Sequence, residues 1–115
     1  MTDTIFGKII RREIPAAIVY EDDEVLGFKD IAPQAPVHVL FIPKNEVIPT
    51  LDDLQPTQAH LIGKLALAAA AYARQEGFAE NGYRIVMNCR EDAGQTVIHI
   101  HLHLLAGAPL GRFGA

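Results

Sequence analysis

The sequence has very little cysteine: Cys89 is the single one among 115 residues. One cysteine cannot form an intramolecular disulfide, so the sequence is compatible with a reducing compartment. The start of the chain, residues 1–15, alternates polar and apolar types and lacks the apolar run of a signal peptide. We therefore expect a cytoplasmic protein.

Long hydrophobic runs and clusters of positive charge are also missing. The longest apolar run, residues 65–73, is too short to cross a bilayer, which predicts that there is no transmembrane segment. The formal net charge is -4, and apart from Lys8, Arg11 and Arg12 the basic residues are scattered. Because binding to a nucleic-acid backbone needs a basic patch, we expect neither a nucleic acid nor a membrane as a partner.

The chain has the size and the apolar content of one domain. Hydrophobic residues make up 50% of the sequence, which is enough for one core and too little for two. No linker rich in proline, glycine or serine interrupts the sequence, and no internal repeat is present. We expect residues 1–115 to form a single domain.

Hydrophobic periodicity predicts two helices and five strands. Residues 4–12 carry apolar side chains at helical spacing, and residues 56–77 carry two adjacent apolar stripes that indicate a long helix. The predicted strands are residues 17–20, 25–29, 37–42, 83–88 and 97–105, with loops at residues 30–36 and around Gly94. Strands and helices segregated in this way predict an α+β domain, in which helices pack on a five-stranded, mostly antiparallel sheet.

The long helix has a broad alanine face. Its apolar surface exceeds what one five-stranded sheet obviously covers, and small side chains allow close approach of another element. Two interpretations stay open: the helix packs only on its own sheet, or it also contacts a second copy in a homodimer.

Three histidines alternate with aliphatic residues near the end of the chain. Because successive side chains of a strand point to opposite faces, His99, His101 and His103 are predicted to share one face. The other face carries only isoleucine and leucine and fixes the register, since a slip of one residue would bury three imidazoles. Clustering three imidazoles costs desolvation and repulsion, so chance placement explains them poorly.

Two chemical interpretations of this cluster stay open. In a zinc site, His99 and His103 would lie roughly 13 Å apart between Cα atoms on a regular strand, so at most two ligands come from the segment, and His38 or Asp30 would have to complete the set. In the other interpretation, a neutral imidazole attacks a phosphorus centre and forms a covalent phosphoramidate, while neighbouring histidines donate hydrogen bonds or a proton. We favour the second interpretation and expect no metal and no cofactor.

The segment His-Ile-His-Leu-His-Leu-Leu at residues 99–105 resembles the motif of the histidine triad superfamily. Residues 3–10, 13–15, 30–38 and 94–96 are similar to its nucleotide-binding branch. The resemblance implies an HIT-like fold with a sheet that extends across a homodimer. It also implies a purine nucleoside phosphoramidase, which binds a purine nucleoside monophosphate or its phosphoramidate and cleaves the phosphorus-to-nitrogen bond through a nucleotidyl-histidine intermediate.

The resemblance further implies a role for each residue of the site. His101 is the expected nucleophile, His103 and His38 contact the phosphate or the leaving group, and His99 supports the orientation of the nucleophile. Asp30 is expected to bind the ribose hydroxyls. The residues expected around the base are Ile5, Phe6, Ile9, Phe28 and Ile31, and those expected on the phosphate side are Asn88, Gly94, Gln95 and Thr96.

Two features depart from the nucleotide-binding branch. Thr96 stands where that branch usually has serine, and residues 93–96 also resemble the fragile histidine triad branch, which hydrolyses dinucleoside polyphosphates. The ending, residues 107–115, is short, whereas relatives carry distinct tails that shape substrate choice. A dinucleoside polyphosphate hydrolase and a non-catalytic nucleotide-binding regulatory module therefore remain as alternatives.

Overall fold

Five strands form the centre of the computed structural model, which describes residues 3–113. The strands are β1 (Ile18–Glu21), β2 (Val25–Lys29), β3 (Val37–Pro43), β4 (Arg84–Val86) and β5 (Leu102–Ala106). Their spatial order is β1-β2-β3-β5-β4, and every neighbouring pair is antiparallel. The predicted α+β class and antiparallel sheet are confirmed.

Helices flank this sheet. They are α1 (Ile5–Ile10), α2 (Ala59–Gln75) and the short α3 (Arg90–Ala93), and single 3₁₀ turns lie at Leu51–Asp53 and Pro56–Gln58. The Thr4 hydroxyl caps α1 by accepting a hydrogen bond from the Gly7 backbone N–H over 3.1 Å. Within residues 3–113, no helix is long and apolar enough to cross a membrane.

Alternation along the strands sorts the buried side chains onto the two faces of the sheet. On the face under α2 lie Val25, Val39, Phe41, Leu102 and Leu104, packed against Leu61, Leu65, Ala68 and Tyr72 of the helix. On the other face, which we call the α1 face, lie Leu26, Phe28, Leu40 and Ile42, packed against Phe6 and Ile9 of α1. The period of two along the strands and the apolar stripe predicted for α2 therefore both hold in the structure.

Gly27 makes room for the largest side chain of the core. It lies opposite Phe41 in the ladder between β2 and β3, and a Cβ atom added at Gly27 would come within 2.8 Å of the Phe41 ring. Phe41 is fully buried, and its ring also packs edge-on against Tyr20 and Tyr72. Glycine at position 27 therefore lets the ring lie directly on the sheet.

The chain between β4 and β5 differs from the prediction. We expected strands at residues 83–88 and 97–105, but the observed strands stop short of each other and enclose α3, which was not predicted. Arg90 and Gly94, at the two ends of α3, have left-handed φ angles of 66° and 87°, which end an extended run. Apolar residues and histidines thus alternate along residues 98–101, although these residues do not belong to the ladder.

The adjacent strands β3 and β5 place two histidines side by side. His38 lies opposite Leu105, and Leu40 lies opposite His103. Residues opposite each other in a ladder share a face, so both imidazoles project from the α1 face. Asp30 follows directly after β2, and its backbone N–H donates to the His38 carbonyl over 3.0 Å. The sheet thereby brings Asp30, His38 and His103 together.

Candidate active site

A pocket of about 330 Å³ opens between α1 and the α1 face of the sheet. Its walls are Ile5, Phe6, Ile9, Ile14, Pro15, Ala16, Phe28, Lys29, Asp30, Ile31, Leu40, Thr96, Val97, His101 and His103. Most of these residues are apolar, whereas Asp30, Thr96 and the two histidines bring polar groups to the same cavity. A mostly apolar cavity with a few convergent polar groups is typical of a small-molecule site.

His101 enters this pocket directly before β5 begins. Its Nδ1–H donates to the backbone carbonyl of His99 over 2.8 Å, which leaves the lone pair on Nε2. The Phe6 ring lies 5.0 Å from the His101 ring, edge to face, and burial lowers the pKa of His101 below its ordinary 6.5. The imidazole is therefore neutral near pH 7 and can act as a nucleophile or a base.

His38 and His103 form a directional chain of hydrogen bonds. The Gln34 backbone N–H donates to His38 Nδ1 over 3.0 Å, so the ring proton of neutral His38 lies on Nε2. His38 Nε2–H then donates to His103 Nδ1 over 2.9 Å, which places the proton of neutral His103 on Nε2. That N–H is buried and has no hydrogen-bond partner among residues 3–113. His103 can therefore offer this donor to a ligand.

His103 is uncharged at neutral pH. Burial, with smaller contributions from His101 and His38, lowers the pKa of His103 to about 4. At neutral pH, His103 is thus a hydrogen-bond donor rather than a cation, and it lies beside His101 with 4.9 Å between the ring centroids.

His99 does not line the pocket. Its side chain is fully buried, and Nε2–H donates to the Pro43 carbonyl over 3.2 Å. Burial lowers the pKa of His99 as well. His99 reaches His101 through its own backbone carbonyl, so the contact that fixes the His101 ring does not need the His99 imidazole.

The burial of these rings departs from our expectation. The sequence predicts buried imidazoles only for a slipped register, yet His99 and His101, which lie outside the ladder, are only 0% and 7% exposed. The cause is α1, whose Phe6 covers both rings. On the opposite side, Ile100 is buried as expected, whereas Ile98 is 49% exposed.

Asp30 completes the polar end of the pocket. One carboxylate oxygen accepts the Ala32 backbone N–H over 2.8 Å, and the other lies 3.4 Å from His38 Nε2. The possible ligand atoms of Asp30, His38 and His103 all lie within 4.8 Å of one another, which is close enough for a divalent cation. The zinc interpretation required His38 or Asp30 to complete the ligands from residues 99–103, and the structure brings both together with His103.

A second cavity, of about 480 Å³, lies on the other side of His103. Its walls are Gln34, His38, Arg84, Val86, Asn88, Ala93, His103, Leu105 and Phe113. The Arg84 guanidinium lies over the Phe113 ring, 5.8 Å from its centroid. His103 belongs to the walls of both cavities.

The structure gathers most, but not all, of the expected site residues in the first pocket. Those that line it are Ile5, Phe6, Ile9, Phe28, Asp30, Ile31, Thr96, His101 and His103. His38 and Asn88 line the second cavity, whereas His99, Gly94 and Gln95 line neither. Sequence reasoning missed Ile14, Pro15, Ala16, Lys29, Leu40 and Val97. Leu40 could have been found, because it lies two residues after His38 on the same face of β3.

Known proteins resemble this chain over nearly its whole length. The sequence model of the HIT domain matches residues 11–110. The purine nucleoside phosphoramidase of Escherichia coli (strain K12) is 55% identical, and the alignment covers 95% of this chain and 91% of that protein. Among solved structures, a histidine triad protein from Clostridium difficile has a TM-score of 0.94 at 38% identity, with 99% of this chain and 98% of that chain covered. A HIT family hydrolase from Legionella pneumophila has a TM-score of 0.91 at 44% identity, with 95% and 96% covered.

Proposed function

The chain belongs to the HIT domain family, and we propose that it hydrolyses purine nucleoside 5′-phosphoramidates through a nucleotidyl intermediate on His101. The His101 ring carries this proposal. The ring is neutral, and its Nδ1–H donates to the His99 carbonyl, which leaves a lone pair on Nε2. His101 lines the same pocket as Asp30. A fixed tautomer with an available nitrogen is what attack on phosphorus requires.

In the first step, His101 Nε2 attacks the α-phosphorus and forms a phosphorus-to-nitrogen bond. The bond to the leaving amine breaks, and the amine takes up a proton from the solvent as it departs; the water that attacks in the second step returns one proton to the solvent. The His103 Nε2–H and the Thr96 hydroxyl donate hydrogen bonds to the phosphoryl oxygens or to the leaving group, where negative charge develops. The His103 donor is preorganised because the chain from Gln34 through His38 fixes the tautomer of His103.

In the second step, water attacks the same phosphorus. The bond from phosphorus to His101 Nε2 breaks, the nucleoside monophosphate leaves, and the neutral imidazole is regenerated. One water is consumed for each amine released. Splitting the reaction in this way lets one imidazole serve first as nucleophile and then as leaving group.

The nucleoside is bound by the remainder of the pocket. Ile5, Phe6, Ile9, Phe28 and Ile31 supply the apolar surface for a purine base. The Asp30 carboxylate accepts hydrogen bonds from the ribose hydroxyls. Asn88 lies in the neighbouring cavity and contacts the leaving-group side of the phosphate, and Gly94 belongs to the loop that carries Thr96.

A homodimer is part of this proposal. β4 is an edge strand, and its Ile85 lies opposite Leu104 and therefore on the face of the sheet that α2 covers elsewhere. Ile85 remains 44% exposed and Leu67 of α2 remains 68% exposed. A second copy that pairs β4 with β4 would cover both side chains and extend the sheet. We place this dimer in the cytoplasm, where a lone thiol such as Cys89 stays reduced.

A dinucleoside polyphosphate hydrolase is the second candidate. The cavity beyond His103 has room for a leaving group larger than an amine, and this observation favours it. A regulatory module that only binds nucleotides gains no comparable support, because binding alone needs no neutral histidine at the phosphate.

The experiment that tests the proposal compares leaving groups on one nucleoside. We expect the purified protein to release AMP from adenosine phosphoramidate with a higher kcat/KM than from diadenosine polyphosphates, and to do so equally well after treatment with a chelator. Preference for the polyphosphate would establish the second candidate. Loss of turnover in the chelator would instead point to a cation at Asp30, His38 and His103.

A further inference from the structure

The loop that carries Thr96 into the pocket lies outside the sheet. It belongs to the segment between β4 and β5, where residues 87–101 form no strand. Around α3 its backbone hydrogen bonds are local, with Gly94 N–H donating to Glu91 and Gln95 N–H donating to Arg90. Such bonds shape the loop but do not attach it to the rest of the fold. Attachment next to Thr96 comes from side chains: Val97 packs against the apolar cluster of the α1 face, and Gln95 makes a polar contact.

The Gln95 side chain makes that contact. Its Oε1 accepts the Arg90 backbone N–H over 2.8 Å, and its Nε2 donates to the Pro49 carbonyl over 2.8 Å and to the Val97 carbonyl over 3.0 Å. Both amide hydrogens and the carbonyl oxygen are therefore engaged, and the residue is only 9% exposed. This amide has no free donor to offer to a phosphate.

The far end of this contact is rigid. Ile48, next to Pro49, is 2% exposed within the core under α2, and its carbonyl accepts the Ile100 backbone N–H over 2.8 Å. The Arg90 guanidinium adds exposed ion pairs to Asp52 and Asp53 between the same two segments. Gln95 thus joins a fixed part of the core to the residues on both sides of Thr96.

We propose that Gln95 is a positioning residue of the reaction: its amide holds residues 94–97 so that Thr96 faces the phosphate. This inference rests on the proposed function and replaces the expectation that Gln95 contacts the substrate. Displacing a catalytic donor by about 1 Å can cost about 100-fold in rate, so one buried amide is enough to matter.

Gln95→Met tests the proposal, because methionine has a similar length but no amide. We expect kcat/KM for adenosine phosphoramidate to fall about 10- to 100-fold. The dissociation constant for AMP should change less than about threefold, because Asp30 and the apolar walls still bind the nucleoside. A rate loss without an affinity loss is a signature that general destabilisation does not produce.

Gln58→Met is the matched control. The Gln58 side chain also bridges two segments, accepting the Gln55 backbone N–H and donating to Glu46, but it lies at the start of α2 and lines neither cavity. We expect this variant to lower the melting temperature and to keep the wild-type kcat.

The decisive comparison is a double-mutant cycle with Thr96→Val. If Gln95 acts through Thr96, the double variant has the kcat/KM of Thr96→Val alone, within about twofold. Rate losses that multiply, or a Thr96→Val variant as active as the wild type, would overturn the proposal. If the wild type itself does not hydrolyse the phosphoramidate, the proposed function fails. The role of Gln95 is then tested by the hydrogen-exchange rate of the Arg90 backbone amide, and a rate that Gln95→Met leaves unchanged would overturn that role.

Discussion

The pocket has two sides that are built by different means. On the strand side, residues 30–43 and 102–106, ladder hydrogen bonds and alternation fix where Asp30, His38 and His103 point. On the loop side, residues 87–101, no ladder exists, and separate contacts such as those of the Gln95 side chain and the Ile100 N–H hold the chain. His101 lies at the junction of the two sides. The comparison teaches that one pocket takes its geometry from two sources, a hydrogen-bonded ladder on one side and separate contacts on the other.

The largest effect should come from breaking the strand side. Phe41→Ala removes a fully buried ring packed between Gly27 and α2, and we expect it to lower the free energy of unfolding by about 3 to 5 kcal/mol. Ile98→Ala, on the loop side, truncates a side chain that is 49% exposed. We expect it to change the free energy of unfolding by less than about 0.5 kcal/mol. Urea titrations of both variants measure the difference, and similar losses would contradict the division.

The next effect concerns binding on the strand side. Asp30→Asn keeps an oxygen for the Ala32 N–H but replaces charge-assisted hydrogen bonds to the ribose with weaker neutral ones. We expect KM for adenosine phosphoramidate to rise about tenfold with little change in kcat. With the 2′-deoxy substrate, which keeps only the 3′-hydroxyl, the difference between the variant and the wild type should become smaller. An equal loss on both substrates would show that Asp30 does not bind the 2′-hydroxyl.

A smaller effect is a pH dependence of stability from the histidines. The pKa of His103 falls from 6.5 to about 4 in the folded protein, and burial also lowers the pKa of His99 and His101. Between those values the unfolded chain binds protons that the folded chain does not, so stability should fall as the pH drops from about 6.5 towards 4. Urea midpoints across this range should fall less steeply in His103→Gln than in the wild type. The exposed His60→Gln is the control, and a slope that His103→Gln leaves unchanged would contradict the assignment.

The same division explains how much the sequence could predict. Periodicity located β2, β3 and α2 closely, because ladders and helices repeat at fixed spacing. The pairing of β3 with β5, which puts His38 and His103 on one face, came from the structure. Periodicity did not locate α3 or the role of Gln95, since a hydrogen bond from residue 95 to residue 49 leaves no periodic signal. It also misjudged the burial of His99, because Phe6 comes from a helix whose packing onto that face the local pattern does not encode.

The residue roles of the pocket came from the family resemblance rather than from spacing. Structure then separated residues that the motif treats alike: His103 presents an N–H to the pocket, whereas His99 contributes its backbone carbonyl. Two histidines of the same motif therefore need not act through the same chemical group.

In the proposed reaction, His101 becomes nucleotidylated. Intact-protein mass spectrometry after a rapid quench with adenosine phosphoramidate tests it directly, with wild type, His101→Gly and the control His60→Gln measured together. We predict a transient adduct of one AMP on the wild type and the control, and none on His101→Gly, whose kcat/KM should fall by about 10⁴-fold or more. An adduct that still forms on His101→Gly would contradict the assignment of His101 as the nucleophile. Wild-type turnover without any adduct, if a chelator abolishes that turnover, would contradict covalent catalysis.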